Sequence, residues 1–163
     1  MKLHSIRILV ILITCIIFCI ILEGFFCLRI IPSPSMLPTI QLNDIVLIYK
    51  DYNIKRGDIV LFRPPESQHI NDQEWIKRVV GLPGEVISIY NGNVYINGKL
   101  LSEDYRNIRP AYDFEPYSIP SDSYFLLGDN RNNSIDSHIW GSLPKKNIIG
   151  TIILKVWPQI KTP

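Results

Sequence analysis

The chain has 163 residues, with 17 Lys+Arg against 15 Asp+Glu and a formal net charge of +2. That length suits one domain, or one small domain plus an anchor. A charge so near neutral argues against a polyanion partner, which calls for a clustered basic face, and an apolar content of 47% argues against disorder.

The apolar residues are unevenly spread. The first 31 positions hold all three cysteines and only four charged side chains, Lys2, Arg7, Glu23 and Arg29. From Ile8 to Leu22 run 15 residues without a charge, and the apolar run resumes after Glu23-Gly24 as far as Leu28. As a helix, residues 8–28 would extend about 31 Å, near the thickness of a bilayer's hydrocarbon core. A cleavable signal peptide would need small residues before its cleavage site. The run ends instead in Glu23-Gly24-Phe25-Phe26-Cys27-Leu28-Arg29, so a retained anchor is expected over 8–28, with Phe25 and Phe26 at the far interface. Lys2 and Arg7 before the span, against Arg29 after it, bias residues 1–7 toward the cytoplasm and residues 29–163 to the other side. Cys15, Cys19 and Cys27 all fall in the span, so neither a disulfide framework nor a thiolate metal site is available to the domain.

Beyond Arg29 the pattern is that of strands. Asp44–Tyr49, Asp58–Phe62 and Glu74–Val80 are short β-branched runs bounded by turn residues. Glu85–Tyr90 and Asn93–Ile96 flank Asn91-Gly92, and a second Asn-Gly follows at Asn97-Gly98, the strongest short-range hairpin signal. Ser123–Leu127 and Ile148–Trp157 complete the set, with no helical stripe among them. The expected fold is mostly β. Ser102–Pro120 reads as a surface excursion, and 84–122 as a short accessory hairpin and loop.

Three clusters join reactive residues to backbone punctuation. Ile31-Pro32-Ser33-Pro34-Ser35-Met36-Leu37-Pro38 could be a Pro-rich tether, yet its prolines fix the backbone around two hydroxyls, and Met36 and Leu37 are too apolar for a solvated linker. In Trp75-Ile76-Lys77-Arg78-Val79-Val80, a strand puts Lys77 on one face with Trp75 and Val79, and Arg78 on the other with Ile76 and Val80. Burial of the first face would lower the pKa of Lys77 and make it a base. Gly128-Asp129-Asn130-Arg131-Asn132-Asn133-Ser134-Ile135-Asp136-Ser137-His138 is either a hydrogen-bonded turn network or an oxygen-rich loop. Calcium-loop spacing fails, because Arg131 intrudes and no acidic residue stands at the closing position; no metal is expected.

The sequence resembles the bacterial type I signal peptidases, membrane-anchored serine endopeptidases that use a Ser–Lys dyad. Ser33–Thr39 resembles the nucleophile box, Arg56–Phe62 a structural box, Lys77–Gly84 the lysine box and Gly128–Ser137 the last box, in family order along almost the whole chain. The resemblance implies a signal-peptidase-like β-domain on one N-terminal transmembrane helix. It implies Ser35 as nucleophile, Lys77 as general base, Ser33 and the Ser35 N–H as oxyanion hole, and Ser134 as the serine that orients the lysine. Asp129 would pair with Arg78. Asp136 normally pairs with an arginine two positions on, where this chain has His138, and Asn132 replaces a more usual Asp.

The chemistry agrees, since a desolvated lysine can deprotonate a serine without a histidine. A base at His138 or His69 is the alternative; neither has a companion motif. The expected function is removal of N-terminal signal peptides from exported preproteins at the cell's inner (plasma) membrane. The expected partners are those preproteins and membrane lipid, with no nucleic acid, metal or cofactor. Two rivals are a Ser–Lys protease with a narrow client, of the conjugation or mitochondrial-inner-membrane type, and an anchored module that only binds peptides. Small residues, typically Ala, are implied at the first and third positions before the cut, which an extended peptide would present on one face.

Overall fold

A computed structural model of the chain describes residues 7–8, 11–15, 23–50, 53–68, 73–105 and 108–163. Residues 9–10 and 16–22 of the expected anchor, Cys19 among them, lie outside the described residues, as does His69. Among the described residues no helix is long and apolar enough to cross a membrane.

Eleven strands are present among these residues. They are β1 (Phe26–Ile30), β2 (Ile45–Tyr49), β3 (Ile59–Phe62), β4 (Trp75–Gly81), β5 (Val86–Tyr90), β6 (Asn93–Ile96), β7 (Lys99–Leu100), β8 (Phe114–Ser118), β9 (Ser123–Leu127), β10 (Leu143–Pro144) and β11 (Ile148–Trp157). A four-residue helix, α1 (Ser137–Trp140), follows β9 and is capped at its N-terminus by Asp136; residues 7–8, 11–15 and 23–25 are also helical. The larger sheet has seven strands in the order β1-β2-β11-β3-β4-β9-β10, and the smaller has four in the order β7-β6-β5-β8.

The alternation read from the sequence is what buries these strands. In β2, Val46 and Ile48 are fully buried while their neighbours are half-buried. Strand β3 is buried on both faces: Ile59 and Leu61 enter a core with Ile31, Met36, Ile40 and Ile76, while Val60 and Phe62 enter another with Val79, Leu126 and Leu143. Each such aliphatic side chain contributes about 1.5–3 kcal/mol by leaving water. The burial of Ile31, Met36 and Ile40 rules out a solvated tether for the Pro-rich segment.

Two boundaries differ from expectation. Residues 26–28, expected at the end of a membrane helix, open β1, which pairs antiparallel with β2 from Phe26↔Tyr49 to Ile30↔Ile45. Cys27 packs against the first core. A continuous apolar run does not by itself distinguish helix from buried strand; the pairing with β2 settles it. The accessory element is also larger than a hairpin. Asn91-Gly92 (φ 48° and 72°) and Asn97-Gly98 (φ 50° and 75°) close two consecutive hairpins, β5–β6 and β6–β7. Positive φ at both central positions suits the tight turns that match strand twist. Strand β8, from the segment expected to be a surface excursion, then pairs with the other edge of β5. Ile87, Ile89, Val94 and Ile96 pack with Val80, Phe125 and Leu127 of the larger sheet, so the two sheets share a core.

Candidate active site

The Pro-rich segment, β4 and the loop after β9 converge on one cleft. Leu37 N–H donates to Pro34 C=O (3.1 Å) and Ile40 N–H to Met36 C=O (3.0 Å), winding the segment into tight turns that carry Ser35. The loop after β9 grips those turns: Asn130 N–H donates to Ser35 C=O and its side-chain amide to Pro34 C=O, both at 3.1 Å. Gly128 is required here by close approach. A Cβ at this position would lie 2.3 Å from Ser134 Oγ and 2.6 Å from Ser35 C=O.

Strand β4 pairs with β3 along Trp75–Arg78, whereas β9 flanks it from Arg78 onward, so the cleft opens beside Trp75–Lys77. Lys77 is 4% exposed. Its Nζ lies 2.9 Å from Ser35 Oγ and donates to its neighbour Ile76 C=O at 3.1 Å. Trp75, on the same face, stands with its ring centroid 5.6 Å from Nζ. Burial lowers the Lys77 pKa to about 8, although the Asp136 and Asp129 carboxylates pull in the opposite direction. Desolvation wins because it acts on the ammonium directly, while both carboxylates already have cationic or hydrogen-bonded partners. Ser33 Oγ is 3.1 Å from Ser35 Oγ. The cleft, about 490 Å³, is walled by residues 29–35 on one side and 73–77 on the other, with Asn133, Ser134 and Ile135 at a third edge.

Ser134 reaches this cleft, but its hydroxyl is buried without a hydrogen-bond partner. The hydrogen bond to Lys77 implied by the resemblance is therefore not made in this structure. Pressed against Gly128, the side chain is held in the cleft wall with its oxygen unused.

Asp129 and Asp136 are both buried and hydrogen-bonded. Arg78 grips Asp129 with two parallel bonds, Nε to Oδ1 at 2.8 Å and Nη2 to Oδ2 at 2.7 Å. Thr39 Oγ1 donates to the same carboxylate at 2.6 Å, which ties the Ser35 turn to the strand bearing Lys77. Asp136 is fully buried, accepts the Gly128 N–H at 2.9 Å, and lies 2.6 Å from His138 Nδ1. His138 thus occupies the partner position despite the missing arginine, stacked on Tyr112 at a 4.0 Å ring separation. It faces Asp136 and Tyr112 rather than either cleft hydroxyl in these contacts.

Sequence reading missed the other half of this frame. Glu103 and Arg131 form a wholly buried ion pair, with Arg131 Nη1 3.0 Å from Glu103 Oε2. Arg131 Nε also donates to Gly128 C=O at 3.0 Å. Tyr105 donates to Glu103 at 2.8 Å, and its ring lies under the Arg78 guanidinium at 4.1 Å. Burial first, then the Glu103 carboxylate, push the Tyr105 phenol above its ordinary range. Bonds and ring contacts therefore link Thr39, Asp129, Arg78, Tyr105, Glu103, Arg131 and Gly128, and Asn130 N–H of the same loop closes onto Ser35 C=O. Also lining the cleft, Arg29 Nε bonds Glu74 Oε2 at 2.7 Å.

Comparison with known proteins agrees with this geometry. A family profile described as "Signal peptidase, peptidase S26" matches residues 5–157. "Signal peptidase I" of Leptolyngbya laminosa is 46% identical over 80% of this chain and 68% of its own length. "Probable signal peptidase I-2" of Synechocystis sp. is 45% identical over 80% of this chain and 62% of its own. The chain thus spans about two thirds of the length of these two relatives. The crystal structure of a signal peptidase I from Enterococcus faecalis V583 superposes with a TM-score of 0.51 at 33% identity, covering 61% of this chain and 96% of that one. With the match running through the Ser35 turn, β4 and the loop after β9, the chain belongs to the signal peptidase family, peptidase S26.

Proposed function

We propose that this family member is a membrane-bound serine endopeptidase that removes N-terminal signal peptides from exported preproteins, with Ser35 and Lys77 as its catalytic dyad. The observation that carries this reading is Lys77 Nζ, desolvated and 2.9 Å from Ser35 Oγ inside a cleft. Neutral Lys77 takes the Ser35 proton as Oγ attacks the scissile carbonyl. The oxyanion forms beside the Ser35 N–H and the Ser33 hydroxyl, whose position 3.1 Å from Ser35 Oγ allows it to turn toward the charge. Protonated Lys77 then gives its proton to the leaving amine, and the same lysine deprotonates the water that hydrolyses the acyl-enzyme. Ser134 Oγ, which bonds nothing in this structure, is the acceptor to which Lys77 would turn as its charge changes. Arg78, Asp129 and Asp136 hold the frame without touching substrate.

The substrate lies extended beside Trp75–Lys77, adding as a strand to the side of β4 that β9 leaves open. Its first and third side chains before the cut then face one wall, where small residues fit. The domain hangs from a helix that leaves the membrane by Phe25, because β1 starts at Phe26. As a helix, residues 8–25 would extend about 27 Å, still within spanning length. The N-terminus lies in the cytoplasm and the domain outside it, at the plasma membrane. Ser35 follows the start of β1 by nine positions, which keeps the site near the membrane surface, where a signal peptide's apolar core delivers its cleavage site.

Incubation of the detergent-solubilised full chain with a generic preprotein tests the reading. Cleavage after the signal peptide by wild type, fixed by N-terminal sequencing of the product, with none by Ser35→Ala, is the expected result. Equal processing by Ser35→Ala would remove the serine mechanism, absence of processing by both would favour a binding module, and processing of only a dedicated client would favour the narrow protease.

A further inference from the structure

The cleft lining is chemically mixed. Ser33, Ser35, Lys77 and Ser134 supply hydroxyls and an amine, Ile31, Ile76 and Leu61 are apolar, and Arg29 and Glu74 meet in an ion pair across its walls. Arg29 belongs to the wall that leads back to the anchor and Glu74 to the wall that leads into β4, so their bond joins the two walls. Their side chains are 41% and 25% exposed, against 4% for Lys77, which places the pair at the cleft mouth rather than on its floor.

We propose that the Arg29–Glu74 pair is a specificity-determining clasp that reads the charge of the fourth substrate residue before the cut. This rests on the proposed peptidase reading of the same cleft. The residue whose carbonyl is attacked lies beside Lys77. Glu74 stands three positions back along the chain, about 10 Å at strand spacing, level with the fourth residue of a peptide running toward the anchor. The third side chain shares a face with the first and points to the floor; the fourth points the other way, to the mouth, where the clasp lies. Paired, Arg29 and Glu74 neutralise each other and present no net charge, so a neutral fourth residue is accepted. A basic residue must compete with Arg29 for Glu74, and an acidic one with Glu74 for Arg29. Removing one partner exposes the other, and selectivity should then swing toward the opposite charge. At a half-exposed pair the swing should be about five-fold.

Three quenched fluorogenic peptides, identical except for Ala, Lys or Glu at the fourth position, are cleaved by the full chain in detergent. For each enzyme kcat/KM is divided by its own value on the Ala peptide. Arg29→Gln should raise the Lys/Ala ratio about five-fold and lower Glu/Ala, Glu74→Gln should do the reverse, and Arg29→Lys, which keeps the charge, should stay near wild type. The same ratios are measured as peptide binding by fluorescence anisotropy to Ser35→Ala forms of each variant, whose folding is verified by circular dichroism. Ratios that do not move in opposite directions overturn the clasp. If no enzyme cleaves, the peptidase reading fails and the anisotropy ratios alone decide the clasp.

Discussion

Burial of Lys77 carries the largest calculable consequence, a pH dependence of both rate and stability. With a pKa of about 8 in the free enzyme, Lys77 is neutral in about 9% of molecules at pH 7, half at pH 8 and about 91% at pH 9. A solvated lysine would be neutral in only about 0.03% at pH 7. The kcat/KM for a neutral peptide reports groups of the free enzyme, so it should rise about ten-fold from pH 7 to pH 9 and then level off. Bound substrate excludes more water from the amine, and the limb seen in kcat should fall at lower pH than the limb in kcat/KM. Stability follows with a definite sign. Between about pH 8 and pH 10.5 the unfolded lysine holds a proton that the folded one has lost, so stability rises with pH across that window, and below it the full cost remains. That cost is about 3 kcal/mol. Urea unfolding of wild type and Lys77→Met should therefore show wild type gaining about 3 kcal/mol on the variant between pH 7 and pH 10.5. A kcat/KM limb near ~6.5 would point to a histidine base, and a flat wild-type-minus-variant stability across the window would refute the desolvation argument.

Three further outcomes follow from the frame. Ser33→Ala should lower kcat by about 10²–10³ with little change in KM, as loss of one oxyanion donor does; wild-type turnover would remove Ser33 from the site. Glu103→Gln leaves Arg131 charged and wholly buried without its counter-ion, and should cost about 3–5 kcal/mol in denaturant unfolding; a change under 1 kcal/mol would show that the pair is not structural. His138→Ala removes the side-chain partner of buried Asp136 and the ring stacked on Tyr112, and should cost about 1–3 kcal/mol; unchanged unfolding would show that Asp136 is held by backbone N–H groups alone.

What could be read from the sequence, and what could not, divides along physical lines. Strands β2 to β6, β9 and β11 were legible because alternating apolar residues end at Gly, Asn and Pro, and both Asn-Gly turns sit where positive φ is needed. Ser35, Lys77, Asp129 and Arg78 were legible because each lies in a short motif whose neighbours share a strand or a turn with it. Glu103, Tyr105 and β8 were not. Glu103 meets Arg131 across 28 positions, and no periodicity links an isolated carboxylate to a partner so distant. The buried Lys155–Asp44 pair, 2.9 Å apart across 111 positions, escaped for the same reason. Strand β1 escaped because Phe26-Cys27-Leu28 continues an apolar run, and only its register with β2 makes it a strand. No motif specifies whether the Ser134 hydroxyl meets Lys77, and in this structure it bonds nothing.

The dyad itself is tested most directly by Lys77→Arg. The substitution keeps length and charge in the cleft, but guanidinium does not release its proton in proteins. Folded Lys77→Arg, verified by circular dichroism and by unfolding in urea, should give no detectable preprotein cleavage at any pH from 6 to 10. Substantial cleavage by the folded variant would contradict the Ser35–Lys77 mechanism and move the search for a base to the histidines.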